Sequence, residues 1–209
     1  MSSTLQFHRS SDETDVAGLI AQMMTLDRQL YVEATEEDLG SFEYWRARFA
    51  RCPESLSLAR MPDGALAGYY QFLPVTAAYR DEILAGRVRD GSIPLEAIVP
   101  YQDRGAPYHL YLCSMAVRPE WRRRGVASRL YREEAAFQQR MALSGRRLES
   151  LVSVVWSACG ARFFERIGLP RASTDFGGRA IHYRTLPEGL LPEIASPALR
   201  RIEALPQAA

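Results

Sequence analysis

There is no lysine in this chain: all 26 of its basic residues are arginine. A protein without lysine has no side-chain amine of its own to modify, although a genome rich in G and C codons would leave the same mark. Histidine and cysteine are scarce as well, three of each. His8, His109, His182, Cys52, Cys113 and Cys159 are scattered, and no pair has ligand spacing, which argues against a metal site. Dispersed cysteines in odd number suit free thiols in a reducing compartment, so the expected location is cytoplasmic. No apolar run approaches the roughly 18 residues that span a bilayer. The opening "MSSTLQFHRSSDETD" has no basic start followed by an apolar block, so no secretion signal is expected. With 26 basic against 25 acidic residues the net charge is +1, and no global field attracts nucleic acid.

What is present is an ordinary globular composition in a chain of 209 residues, enough for one well-buried core and one domain. "LQFHRSS" reads as a short strand whose Ser-Ser-Asp end would cap the helix "ETDVAGLIAQMMTLDRQLYVE". In that helix Val16, Leu19, Ile20, Met23 and Met24 recur at helical spacing. "SFEYWRARFARC" is a second helix with Phe42, Trp45 and Phe49 on one face, stopped by Pro53. "SLSLARMPDGALAGYYQFLPV" reads as a hairpin about a Pro-Asp-Gly turn. Residues 76–108 are irregular apart from a short helix closed by Gly86, and a connection of that length is usually functional or mobile. "YHLYLCSMAV" is a buried strand, followed by a helix from Arg124, the strand "RRLESLVSVV", the helix "CGARFFERIG" and two strands about Gly-Gly. The tail 186–209 holds one weak helix, "ALRRIEAL". This order predicts an α/β fold with a mixed central sheet flanked by helices.

The densest chemistry lies at "SMAVRPEWRRRGVASRL", where strand gives way to helix. A helix N-terminus carries unpaired amides and a partial positive charge. A glycine there lets a ligand approach the backbone, and flanking arginines add charge-assisted bonds. The combination suits phosphate oxygens; a solvated arginine-rich helix start is the alternative.

"MAVRPEWRRRGVA" resembles the acetyl-CoA signature of the GNAT (GCN5-related N-acetyltransferase) superfamily, with Gln/Arg-x-x-Gly-x-Gly/Ala written here as Arg122-Arg123-Arg124-Gly125-Val126-Ala127. Some forty residues on, "SACGARFFERIGL" resembles that family's second motif, in the right order and on the expected element. The resemblance covers roughly residues 5–185 and makes 76–108 an insertion between strands. It implies a GNAT fold and acetyl-CoA as co-substrate. Backbone groups of Met115, Ala116 and Val117 would pair with the pantetheine arm and polarise the thioester carbonyl. Amides from Arg123 through Gly125, Val126 and Ala127 to Ser128 would cradle the pyrophosphate beside Arg122, and Ser157 and Phe164 would occupy the coenzyme-side positions of the second motif.

The pattern departs from the family at the chemistry. Phe164 stands where a tyrosine usually protonates the leaving thiolate, Ser157 where asparagine is common, and Tyr111 where the entering strand often carries a glutamate. Alternation would set His109, Tyr111 and Cys113 on one face towards the acceptor. His109, with an ordinary pKa near 6.5, is then a candidate base and Tyr111 a candidate acid; packing roles are the alternatives. Without an obvious carboxylate base the site should favour less basic amines. The expected activity is therefore acetyl transfer to a small-molecule, peptide or other α-amine acceptor. A non-catalytic acyl-CoA sensor is the rival, and a homodimer stays open. The insertion is expected to wall the acceptor site through Tyr79, Arg80, Tyr101 and Arg104, with a surface elaboration or dimer contact as the alternative.

Overall fold

A computed structural model describes residues 4–103, 107–187 and 191. Arg104 and the expected tail helix lie outside the described residues. The elements run β1 (Gln6–Arg9), α1 (Val16–Leu30), α2 (Glu36–Leu39), α3 (Phe42–Arg51), β2 (Leu56–Arg60), β3 (Leu66–Val75), α4 (Ala77–Leu84), β4 (Tyr108–Val117), α5 (Val126–Leu143), β5 (Leu148–Val155), α6 (Ala158–Arg166), β6 (Arg171–Thr174) and β7 (Ala180–Thr185). The seven strands form one sheet in the order β1-β2-β3-β4-β5-β7-β6. Neighbours are antiparallel except β4 and β5, which are parallel. This is the mixed α/β sheet that the strand and helix order predicts.

Caps set the helix starts. Asp15, not the Ser-Ser-Asp run before it, caps α1 by accepting from the Gly18 amide at 2.9 Å; residues 10–12 form a separate 3-10 turn. Ser41 does the same for α3 at 3.2 Å, and α3 ends at Arg51, two residues before Pro53. The Pro-Asp-Gly turn joins β2 to β3, with Gly64 at φ +82° supplying the left-handed residue.

Side-chain alternation on β3 divides the core into two layers. Tyr69 joins Leu19, Ile20, Met23 and Leu26 of α1 and Trp45 and Phe49 of α3. Its neighbour Tyr70 joins Leu130, Tyr131 and Phe137 of α5 and Phe163 of α6. Burying each such side chain is worth about 1.5–3 kcal/mol, so both helical layers are held to the sheet.

Two irregularities in β4 shape a pocket on one side of the sheet. Its pairing with β5 runs from Tyr108↔Leu148 to Leu112↔Ser153 and stops, although β4 continues to Val117. Beyond that point β5 pairs, among the described residues, with β7 alone, through Val154↔Ile181 and Val155↔Ala180. On its other edge β4 steps from Phe72↔Leu112 to Gln71↔Ser114, leaving Cys113 as a bulge. The bulge breaks the expected alternation, so Cys113 and Ser114 both line the pocket.

Candidate active site

Past Leu112 the two parallel strands part, and among the described residues the β5-facing edge of Cys113–Val117 has no strand partner. Backbone N–H and C=O groups along such an edge can take an added extended ligand. The strand leads through Pro119–Trp121 to a turn in which Arg123 has φ +59° and Gly125 φ +79°. Only glycine adopts that region freely, and a non-glycine residue held there is strained. The helix α5 begins at Val126, two residues later than the sequence suggests, with Gly125 as its cap residue and no side chain on the first-turn amides. Arg122, Arg123 and Arg124 are exposed around it, Arg124 stacked over Trp121 at 5.2 Å and Arg122 donating to the Val117 carbonyl at 3.0 Å. Unpaired amides, a left-handed turn and three guanidinium groups fit a diphosphate.

Beside the open edge of β4 lies a narrow pocket, about 30 Å³ in volume, bounded by Asp27, Tyr31, Trp45, Arg48, Asp90 and Trp156 among others. Its enclosed part has room for a water or two, so only the small polar head of a ligand fits there. Asp27 projects from the buried stripe of α1 and is 2% exposed. Both its oxygens accept from the Tyr69 hydroxyl, at 2.5 and 2.6 Å, and Tyr69 also meets Ser114 Oγ at 3.1 Å. Burial pushes the Asp27 carboxyl up to about 7, against the opposing pull of the Tyr69 hydrogen bond. Asp90, from the 76–108 segment, is raised to about 6 by desolvation, while its carboxylate accepts from the Tyr111 hydroxyl. Tyr31 donates to the Met115 carbonyl at 2.9 Å, and burial raises its hydroxyl to about 12, so it stays protonated. Its ring meets Trp156 edge-on at 6.1 Å, and Arg179 lies 3.9 Å over Trp156.

The fold disperses the residues singled out in the sequence. Met115, Ala116 and Val117 lie along the open edge of β4, and Arg122 through Ser128 form the turn and the first residues of α5. Ser157 caps α6, accepting from Gly160 at 3.1 Å. Phe164 is 4% exposed and packed between Phe163 and His182, with centroids at 5.8 and 5.6 Å. His109 sits on the paired half of β4, against Ser150 Oγ at 2.8 Å and Arg80 at 3.3 Å, and does not line the pocket. Burial and the Arg80 charge hold its imidazole below the usual value. Tyr111 is fully buried and reaches the pocket only through Asp90. Of the expected wall, Tyr79 is buried in the core, Arg80 lies beside His109, and Tyr101 is packed with Phe137 and Gln138. Asp90 is what the segment contributes to the pocket. Three carboxylates line the pocket, Asp27, Asp90 and Asp38, the last held below the usual range, against the effect of burial, by its Thr35 hydrogen bonds and the Arg179 and Arg89 charges; the sequence led us to expect none.

The model of the acetyltransferase (GNAT) family matches residues 20–168. No match was found among curated proteins. Solved structures share the fold at low identity. The Arabidopsis thaliana NAA60 structure in complex with acetyl-CoA is 12% identical, covers 88% of this chain and 99% of its own, and superposes with a TM-score of 0.55. A mosquito arylalkylamine N-acetyltransferase-like protein is 12% identical over 88% of this chain and 100% of its own, with a TM-score of 0.54. A chain of the NatC complex bound to Gag peptide and CoA is 14% identical over 88% and 98%, with a TM-score of 0.56.

Proposed function

The chain belongs to the acetyltransferase (GNAT) family, and on that premise we propose that it moves an acetyl group from acetyl-CoA to the amine of a small-molecule or α-amine acceptor. The observation that carries this reading is the parting of β4 from β5 directly ahead of the left-handed turn at Gly125. The open edge of β4 would hold the pantetheine arm and the amides of residues 126–128 the diphosphate. Acetyl-CoA supplies an activated acyl group on a thiol, a fairly good leaving group with a pKa near 8.5.

The remaining steps fall to this chain's residues. Asp27, not His109, takes the amine's proton, because it lines the pocket and is poised near 7. An α-amine near 8 is then only about 1.4 kcal/mol uphill to deprotonate towards Asp27, a lysine-type amine near 10.4 about 4.6 kcal/mol. The neutral nitrogen forms its bond to the acyl carbon as the carbon–sulfur bond breaks. Tyr31, at the Met115 carbonyl and lining the same pocket, gives its proton to the sulfur as the acylated nitrogen sheds its second proton, which returns to the Tyr31 oxygen so that no phenolate is left; Phe164 cannot do this. Tyr69 holds Asp27 in place.

A non-catalytic acyl-CoA binder is the second reading, favoured by the buried Phe164 at the usual tyrosine position. Release of free CoA thiol across a panel of amines separates the two: a binder gains thermal stability with CoA and never consumes acetyl-CoA.

A further inference from the structure

Arg48 is 1% exposed, yet it lines the pocket. Three of its five N–H groups have acceptors: the Asp90 backbone carbonyl at 3.2 Å, Gln71 Oε1 at 2.9 Å and Cys113 Sγ at 3.6 Å. Nε is buried with no hydrogen-bond partner. The rings of Tyr44 and Trp45 hold the group in place, at 5.1 and 4.8 Å. The nearby Asp90 turns its carbonyl to Arg48 and its carboxylate to Tyr111, and among the described residues the guanidinium forms no ion pair. The Asp90 carboxylate favours the charged guanidinium through space but leaves the buried Nε–H unsatisfied; an unpaired buried donor is unfavourable, and a rigid fork with spare donors matches a carboxylate. Asp27, to which the acetyl-transfer reading directs the amine, lines the same pocket.

We propose that the acceptor is a zwitterion of the α-amino-acid class, its carboxylate held by Arg48 and its amine directed at Asp27. This rests on the acetyl-transfer reading and narrows its substrate to amines that carry a carboxylate; such an amine is more basic than a peptide α-amine, so the Arg48 contact has to offset the added cost of deprotonation.

The test compares CoA thiol release by the wild-type protein on the common L-α-amino acids and on their C-terminal amides. An amide's amine is less basic, so intrinsic reactivity near neutral pH favours the amide, and a preference for the acid points to the pocket. The expected preference in kcat/KM is roughly 10- to 100-fold for the acid. In Arg48→Met the ratio of acid to amide kcat/KM should collapse towards one, chiefly through the KM for the acid; Arg48→Lys should retain part of the preference. A purely bracing Arg48 would instead lower both substrates alike. If the Met variant does not fold, the wild-type comparison decides. Equal or better turnover of amides by the wild type overturns the proposal and leaves the acetyltransferase reading standing. If neither series consumes acetyl-CoA, the enzyme reading fails, and calorimetry of both series on CoA-loaded protein decides the rest. Acid-selective binding lost in Arg48→Met sustains carboxylate recognition; binding without selectivity overturns it.

Discussion

The hydroxyl of Tyr69 lies 2.5 and 2.6 Å from the two oxygens of Asp27, joining α1 to β3 within a polar contact sealed from solvent. Without that hydroxyl the carboxylate would be harder still to ionise, because burial and Tyr69 pull its pKa in opposite directions. The pair therefore sets where on the pH scale the pocket can accept a proton.

Asp27→Asn should lower kcat/KM by about 10²–10⁴, with acetyl-CoA binding unchanged by calorimetry. In the wild type, kcat/KM should rise with pH through about 7, as Asp27 loses its proton. Tyr69→Phe should move that rise to higher pH. A profile that ignores both substitutions would remove Asp27 from the chemistry.

The same carboxyl should make the fold pH-sensitive in a particular direction. Its folded pKa of about 7 stands above the ordinary value of 3.8, so the folded state binds more protons between those values. This contribution is fully present below about pH 4 and lost as pH rises through about 7. Asp90, raised to about 6, acts in the same sense. Asp27→Asn should consequently melt higher than the wild type at about pH 8, by an amount corresponding to a few kcal/mol at most, and show little advantage at about pH 4. Melting scans at the two pH values check the sign.

Gly125→Val places a β-branched residue at φ +79°, where a non-glycine backbone costs about 1–2 kcal/mol. It also puts a side chain on the turn assigned to the diphosphate. Affinity for CoA should fall at least about tenfold in calorimetry, while circular dichroism retains the wild-type fold.

Restoring the family's usual tyrosine should not help. Phe164→Tyr would bury a hydroxyl between Phe163 and His182, at a cost of about 1–3 kcal/mol if it goes unpaired. The expected outcome is a lower melting temperature and an unchanged kcat in thiol-release assays. A clear gain in kcat would show that residue 164 reaches the sulfur.

Local chemistry is legible in the sequence. The Pro-Asp-Gly turn between β2 and β3 and the glycine ahead of α5 announce themselves within a few residues, since each solves a backbone problem on the spot. The strand and helix order likewise reads through to a mixed sheet. The pocket does not, because Asp27, Arg48 and Asp90 come from three segments that only the fold brings together. A signal is there nonetheless: Asp27 continues the stripe of Ile20 and Met23, and Arg48 sits with Trp45 and Phe49 on the buried side of α3. Charge on an apolar stripe is expensive unless something uses it. The bulge at Cys113 has no such mark, since strict alternation is what a strand pattern assumes; it brings Ser114 to the pocket beside Cys113, while His109 lies on the paired half of β4, away from it.

Among the described residues, five pairs, Tyr108 to Leu112 against Leu148 to Ser153, stitch the first four strands to the last three. The sheet is thus two panels sharing a short seam, and each panel carries part of the pocket: Ser114 on one, Trp156 following the other. A molecule lying along the unstitched length would act as an eighth strand, bracing the panels at a fixed angle. Binding the coenzyme first would then set the width of the acceptor pocket, which favours an ordered addition in which the amine comes second.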